Sequence, residues 1–307
     1  MKFNDPERIL ELTKEWTGER FPDGRPKVSD QLLERLSNLT TEEIYIPLVS
    51  KGYKLQYEGD LKSVHDSRRL IGRAVTAVMV PSRPDVHMAL LEYGHKYENR
   101  KGYFNQWVIE TLVEKDVLVV DMCDQILYGT YVGGNLSTAI HARTKTGGAV
   151  VWGGIRDLEQ IVNIPDFQLY YRGVHPSPIG DVMMTGMNVP TRIGRAICMP
   201  GDVVVGTISG VMFIPAHLAE FVASCAEKSH IKDIFGFERL KTATYTSAQI
   251  DSPIWNREMM EDFTAWLKTA PEAQNYQHLD WTEEWEKCDS AQERNKSFNG
   301  LVYYTYG

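Results

Sequence analysis

The chain has 307 residues, 43% of them hydrophobic and 24% charged, with a formal charge of −8. That is ordinary globular composition, long enough for one large domain or a domain plus an extension, and it argues against a disordered chain. An acidic chain without a Lys/Arg cluster has no electrostatic footprint for nucleic acid; the nearest grouping, Arg68, Arg69 and Arg73, sits among apolar residues. No apolar run reaches the roughly 18 residues of a membrane span. Four cysteines, Cys123, Cys198, Cys225 and Cys288, are too scattered for a C-x-x-C pair, a zinc site or a disulfide framework. They read as buried free thiols in a reducing compartment. Residues 1–16 are charged throughout and do not read as a signal peptide, so the expected location is the cytoplasm.

In chain order, 6–18 reads as a short amphipathic helix with Pro6 in its first turn. Residues 28–39 read as a second helix capped by Ser29, and 40–51 as a third. The β-branched run at 70–80 predicts a strand. Residues 81–106 are polar and aromatic and give no clear element. A buried strand follows around Val117–Val120. The stretch 133–148 predicts a helix that Asn135 can cap and that Gly147 and Gly148 stop. Strands are expected at 149–152 and 167–173, with a short helix at 155–161 between them. Three short strands fit 193–215, split at Pro200-Gly201-Asp202 and at Ser209-Gly210. A helix fits 216–231. Helices and strands alternate, which predicts a mixed α/β sandwich.

The last part differs in texture. Residues 251–307 carry eleven acidic and five basic side chains, and four of the seven tryptophans, Trp255, Trp266, Trp281 and Trp285. Such aromatic content calls for packing. The expected organisation is an α/β domain over 1–245 and a helical extension over 246–307, with 259–270 its clearest helix.

Two motifs could carry chemistry. Gly133-Gly134-Asn135-Leu136 places bare backbone before a helix N-terminus, where amides and the helix dipole favour an anion such as a carboxylate. A plain helix cap after a tight turn explains the same residues. Gly153-Gly154-Ile155-Arg156-Asp157 delivers a guanidinium and a carboxylate to the C-terminal end of a buried strand, where α/β folds bind ligands. Arg suits a carboxylate and Asp suits magnesium or manganese. An ordinary Arg–Asp surface pair is the bland alternative. His175 follows a strand and could line a cleft, His141 reads as a packing or surface residue, and Ser209 reads as a turn residue. No H-E-x-x-H, G-x-S-x-G, G-x-G-x-x-G or Walker pattern occurs.

Taken in order, KDVLVVD, GGNLSTAI, AVVWGGIRDLEQI, RGVHPSP and MPGDVVVGTISGVMFIP resemble the family of the regulator of ribonuclease activity A, the RraA-like family. That family includes the metal-dependent 4-hydroxy-4-methyl-2-oxoglutarate/4-carboxy-4-hydroxy-2-oxoadipate aldolases. The resemblance spans about residues 30–230; IKDIFGFERL and YTSAQID look like a longer subgroup. It implies a swivelling β/β/α sandwich with a helical C-terminal extension, a homotrimer or hexamer, and a site at a subunit boundary. It implies that Arg156 holds the carboxylate or keto oxygen of a small 2-keto acid. Asp157 would bind Mg2+ or Mn2+, mostly through water, and the backbone from Gly133 to Leu136 would cradle the pyruvoyl end. Retro-aldol cleavage then requires a base for the C4 hydroxyl and a Lewis acid for the pyruvate enolate, and oxaloacetate decarboxylation would use the same electron sink. This chain departs from the pattern at Gly134, where the aldolases usually carry an acid, and at Gly206–Gly210, where an Asp-rich turn is usual. Glu227 corresponds to a family acid that reaches over from an adjacent subunit. A sugar-acid dehydratase or related lyase and a non-catalytic regulator of a ribonuclease are the competing readings.

Overall fold

The computed structural model describes residues 2–297, with side chains through residue 290. Helix α1 (Pro6–Leu12) is shorter than the expected 6–18. Beyond it the Arg20 guanidinium takes the carbonyls of Thr13 and Trp16 at 2.8 and 3.1 Å, holding the chain in a loop. Ser29 caps α2 (Asp30–Ser37) by accepting from the Leu32 amide at 3.2 Å. A reciprocal Thr40–Glu43 capping box starts α3 (Thr41–Ser50). Two short strands, β1 (Tyr57–Glu58) and β2 (Lys62–Ser63), precede the long β3 (Leu70–Pro81). The stretch without a clear sequence signal holds two helices, α4 (Pro84–Tyr97) and α5 (Phe104–Ile109).

Next come β4 (Asp116–Asp121), α6 (Gly134–Thr144), β5 (Gly148–Ile155), α7 (Leu158–Ile161) and β6 (Gln168–Val174). They are followed by β7 (Val182–Met187), β8 (Thr191–Ile193), β9 (Ala196–Cys198), β10 (Val203–Thr207) and β11 (Gly210–Ile214). A 3-10 turn at Ala216–Leu218 leads into α8 (Ala219–Lys241), which runs past the expected end at 231. The chain continues through α9 (Ser247–Ile250), α10 (Arg257–Thr269), a 3-10 stretch at Pro271–Tyr276 and α11 (Thr282–Ser297). The part of the expected extension beyond residue 297 lies outside the described residues.

The central sheet is mixed, in the order β1-β11-β10-β3-β4-β5-β6-β2. Strands β3, β4, β5 and β6 are parallel, and the outer strands run antiparallel to their neighbours. Because β3 is long, β10 pairs with its first half and β7 with its second. The period of two along the parallel strands sorts side chains to two faces. Leu118, Val120, Val75, Ala77, Ala149 and Val151 face one cluster, which Trp107, Ile140 and Ile161 of the helices complete. Val117, Val119, Val150 and Tyr170 face the other, which Ile193 and Cys198 of the small β8–β9 sheet complete. The layers are therefore β, β and α, with the helices and the small sheet on opposite faces of the main sheet. Strands buried on both sides read as continuous apolar runs, which is why β4 and β5 were evident in the sequence.

The described chain divides into two compact units, with the boundary between Ala223 and Ser224 inside α8 rather than near 245. The second half of α8 supplies Ile231 and Phe235 to a cluster with Trp255, Met259, Phe263 and Trp266. The aromatic residues that composition alone marked for burial are thus packed: Phe235 meets Phe263 edge-on at 5.3 Å and Trp255 at 5.5 Å. Of the cysteines, Cys198 and Cys288 are buried, Cys225 is intermediate and Cys123 is exposed. The burial expected of Cys123 fails because it lies just past the end of β4, in left-handed conformation (φ 53°) as the chain turns away from the sheet.

Asp202, just before β10, is a buried carboxyl whose Oδ2 accepts from the Met199 amide at 2.8 Å. Burial pushes its pKa up to about 8, against the pull of the Met199 and Ala216 backbone. The protonated carboxyl therefore contributes stability that is fully present below the ordinary Asp range and is lost as pH rises toward 8. Asp202→Asn should remove that slope. In urea unfolding at pH 5 and pH 8 the wild type is expected to lose more stability than the variant; equal losses would mean that Asp202 folds ionised.

Candidate functional site

The two glycine-containing motifs meet through backbone hydrogen bonds. After β4 the chain loops out and returns beside the end of β5: Thr130 bridges Gly154, and the Tyr131 amide donates to the Gly154 carbonyl at 2.9 Å. The Arg156 amide then donates to the Val132 carbonyl at 3.0 Å. This sets Gly133, at the N-cap of α6, against Arg156 and Asp157. A Cβ at Gly133 would lie 2.2 Å from Asp157 Oδ2 and 2.9 Å from Arg156 Cγ, so a side chain there would have to displace the pair. Only glycine permits that approach without rearrangement.

The cap of α6 is not Asn135, as the sequence suggested. Asn135 lies inside the first turn and exposed, while Asp157 accepts from the Gly134 amide at 3.2 Å. Asp157 heads α7 yet makes no side-chain cap there; its backbone is left-handed, with φ 54°. Asp tolerates that region better than most residues, and the conformation turns its carboxylate toward α6. Arg156 Nε lies 3.6 Å from Asp157 Oδ2, and the two side chains remain 43% and 34% exposed. Beyond Gly134, the Asn135 and Leu136 amides stand at the open end of α6, where a helix has no carbonyl of its own to offer.

These residues line a pocket of about 380 Å³. Gly133, Asn135, Leu136, Arg156 and Asp157 are all in its wall, together with Asn105, Thr130, Gln160, Pro178 and Ile179. Asn105 is held, donating to the Tyr131 carbonyl at 2.8 Å. Burial pushes the Tyr131 phenol far above its usual pKa, so it stays protonated. His175 acts from behind the wall. Its Nδ1 accepts from the Ser177 amide at 3.1 Å, and the Ser177 hydroxyl accepts from the Tyr128 amide at 2.8 Å, which fixes the segment carrying Pro178 and Ile179. His141 packs against Phe167, and Ser209 sits in the β10–β11 hairpin turn, as the sequence suggested. Glu227 lies in α8, in the second unit, buried and facing His278 Nε2 at 3.4 Å.

The pocket wall also includes Gln160, Asn105, Thr130, Pro178 and Ile179, which the sequence does not mark as site residues. Gln160 has a spacing that could mark it: it follows Asp157 by three residues and so shares its helical face. Asn105 lies in the stretch that gave no element, and no sequence signal marks it.

The family described as RraA-like, Aldolase/RraA, matches residues 26–213, more than half of the chain and all of this pocket. The chain belongs to the RraA-like family. Protein DlpA of Legionella pneumophila is similar at 25% identity over 224 residues, covering 72% of this chain and 32% of that protein. A putative 4-hydroxy-4-methyl-2-oxoglutarate aldolase of Halalkalibacterium halodurans is 31% identical over 121 residues, 38% of this chain and 55% of that one. The chain thus spans about a third to a half of these two relatives. Streptomyces coelicolor RraAS2, an unusual member of the RNase ES inhibitor RraA protein family, shares the fold at TM-score 0.58 and 21% identity, over 69% of this chain and 97% of its own. As an RraA-like protein the chain has the mixed central sheet of that family with helices C-terminal to it. Among the described residues no helix is long and apolar enough to cross a membrane.

RraA-like aldolases imply a divalent cation. The donor set bears on which kind: Asp157 is the one carboxylate in the pocket wall, and no group of three or more His, Cys, Asp or Glu converges among the described residues. A half-exposed carboxylate with one oxygen committed to Gly134 suits a hard ion that keeps most of its waters, as magnesium does, and not a caged zinc.

Proposed function

We propose that this RraA-like chain is a divalent-metal-dependent carbon–carbon lyase acting on a small 2-keto acid, in the cytoplasm and as a homotrimer or hexamer. The observation that carries the reading is the pairing of Arg156 and Asp157 at the open N-terminus of α6, inside one pocket. Arg156 would hold the carboxylate or keto oxygen through its planar fork. The free amides of Asn135 and Leu136 would take a second oxygen of the pyruvoyl end, favoured by the helix dipole. When the bond between C3 and C4 breaks, the C4 hydroxyl loses its proton to solvent in the open pocket and C4 becomes a carbonyl, while the electron pair of the bond moves toward C2 and the keto oxygen, where Arg156 would donate to the growing charge. Asp157 would hold Mg2+ or Mn2+ largely through water, and the ion would supply Lewis-acid stabilisation of the enolate.

The test is pyruvate release from 4-hydroxy-2-keto acids and oxaloacetate, with magnesium or manganese and again with a chelator. Metal-dependent pyruvate formation is the expected result. Failure across the panel, in protein that is folded and metal-loaded, would overturn the lyase. One observation favours the competing regulatory role: among the described residues the titratable lining of the pocket is Tyr131, Arg156 and Asp157, so this wall offers no free base for the C4 hydroxyl.

A further inference from the structure

We propose that Gln160 is the specificity residue of this pocket and that Gly134 makes room for it. Together they would select a 2-keto acid with a single carboxylate and an uncharged, hydroxylated far end. This rests on the lyase reading and deepens it.

The first observation is spatial. Gln160 lies on α7 one turn beyond Asp157, and its carboxamide lies over the first turn of α6. A Cβ built on Gly134 would fall 2.1 Å from Gln160 Oε1 and 3.1 Å from its Cβ and Cδ. The amide thus occupies the place a side chain at 134 would take. The second observation is chemical. Asn105 is spent on the Tyr131 carbonyl and the Thr130 hydroxyl on the Ser177 carbonyl, whereas the Gln160 carboxamide has no hydrogen-bond partner among the described residues. It offers two donors and an acceptor to whatever enters. The third is charge. Among the described residues Arg156 is the only cationic side chain in the wall, which also includes Leu136, Pro178 and Ile179.

A pyruvoyl carboxylate uses that one cation. A second carboxylate at the far end would meet a neutral amide and no second cationic side chain, so this wall gives it no partner charge. A hydroxyl there can both donate to Gln160 Oε1 and accept from Nε2. At about 380 Å³ the pocket is toward the small end of ligand sites, and Gln160 is part of its wall.

The experiment is titration calorimetry on the full chain with Mg2+, using pyruvate, 2-oxoglutarate and 2-keto-3-deoxygluconate as probes. Wild type should bind pyruvate and should prefer 2-keto-3-deoxygluconate over 2-oxoglutarate by about tenfold. Gln160→Lys should reverse that preference and leave pyruvate affinity within about threefold, because the new cation serves only the distal carboxylate. Gly134→Ala should shift the amide and erase the preference without Gln160 being changed. A wild type that favours 2-oxoglutarate, or a preference that Gln160→Lys leaves unmoved, overturns the role of Gln160 while pyruvate binding keeps the lyase reading intact. Absence of pyruvate binding overturns both.

Discussion

Replacing Asp157 by Asn should lower kcat/KM for 2-keto acid cleavage by at least ~100-fold, about 2.7 kcal/mol of transition-state stabilisation, with the fold intact. The charge is what the proposed chemistry needs, because a neutral amide is a poor ligand for a hard divalent ion. The shape is what the fold needs. Asn reproduces the acceptor for the Gly134 amide and is among the residues that tolerate the left-handed backbone Asp157 adopts. Thermal stability should therefore stay within about 1 kcal/mol of wild type, the usual scale of a helix-end charge. Asp157→Ala separates the two roles further: it removes the acceptor and puts a Cβ residue without local hydrogen bonding at φ 54°, so it should lose both activity and stability. Unchanged turnover in Asp157→Asn at limiting magnesium would remove Asp157 from the site.

What could be read from the sequence follows a physical division. β4 and β5 were evident because strands buried on both faces read as apolar runs, and β3 because of its β-branched content. α4 was not, since Leu90 and Gly94 are its buried residues and its exposed face carries Met88 and Tyr97, which blurs any stripe. α5 has six residues, too few for a helical period to emerge. The site shows the same division. Gly133–Leu136 and Arg156–Asp157 each stood out locally, but their meeting depends on the Tyr131–Gly154 and Arg156–Val132 backbone bonds, which no local pattern encodes. Residue type pointed to Asn135 as the cap; the acceptor for the Gly134 amide comes from Asp157, 23 positions beyond Gly134. The specificity proposed for Gln160 likewise needs the contact with Gly134, since a lone Gln on a polar turn carries no signal.

A larger effect on stability is expected far from the pocket, at Arg25. Its side chain is 1% exposed and that of Asp116 is fully buried, and the two form a bidentate pair at 2.9 and 3.2 Å. The bond joins the segment before α2 to the start of β4 across 91 positions of sequence. Asp23 takes the remaining Nε at 2.7 Å, the Val113 amide donates to Asp116, and the guanidinium lies 4.6 Å from the centre of the Phe21 ring. Every polar atom of the pair thus has a partner, so the ions are satisfied only together. Arg25→Met leaves a buried carboxylate unpaired and should cost about 3–5 kcal/mol, a large fraction of the roughly 5–15 kcal/mol that holds a domain folded. Asp116→Asn should cost less, because Asp23 still compensates Arg25. The double variant Arg25→Met/Asp116→Leu should recover part of the loss, since two apolar groups leave no orphaned charge. Urea unfolding of wild type, Arg25→Met, Asp116→Leu and the double variant closes the cycle and measures the coupling. A loss under about 1 kcal/mol for Arg25→Met would mean that water reaches Asp116 and that the pair is not sealed.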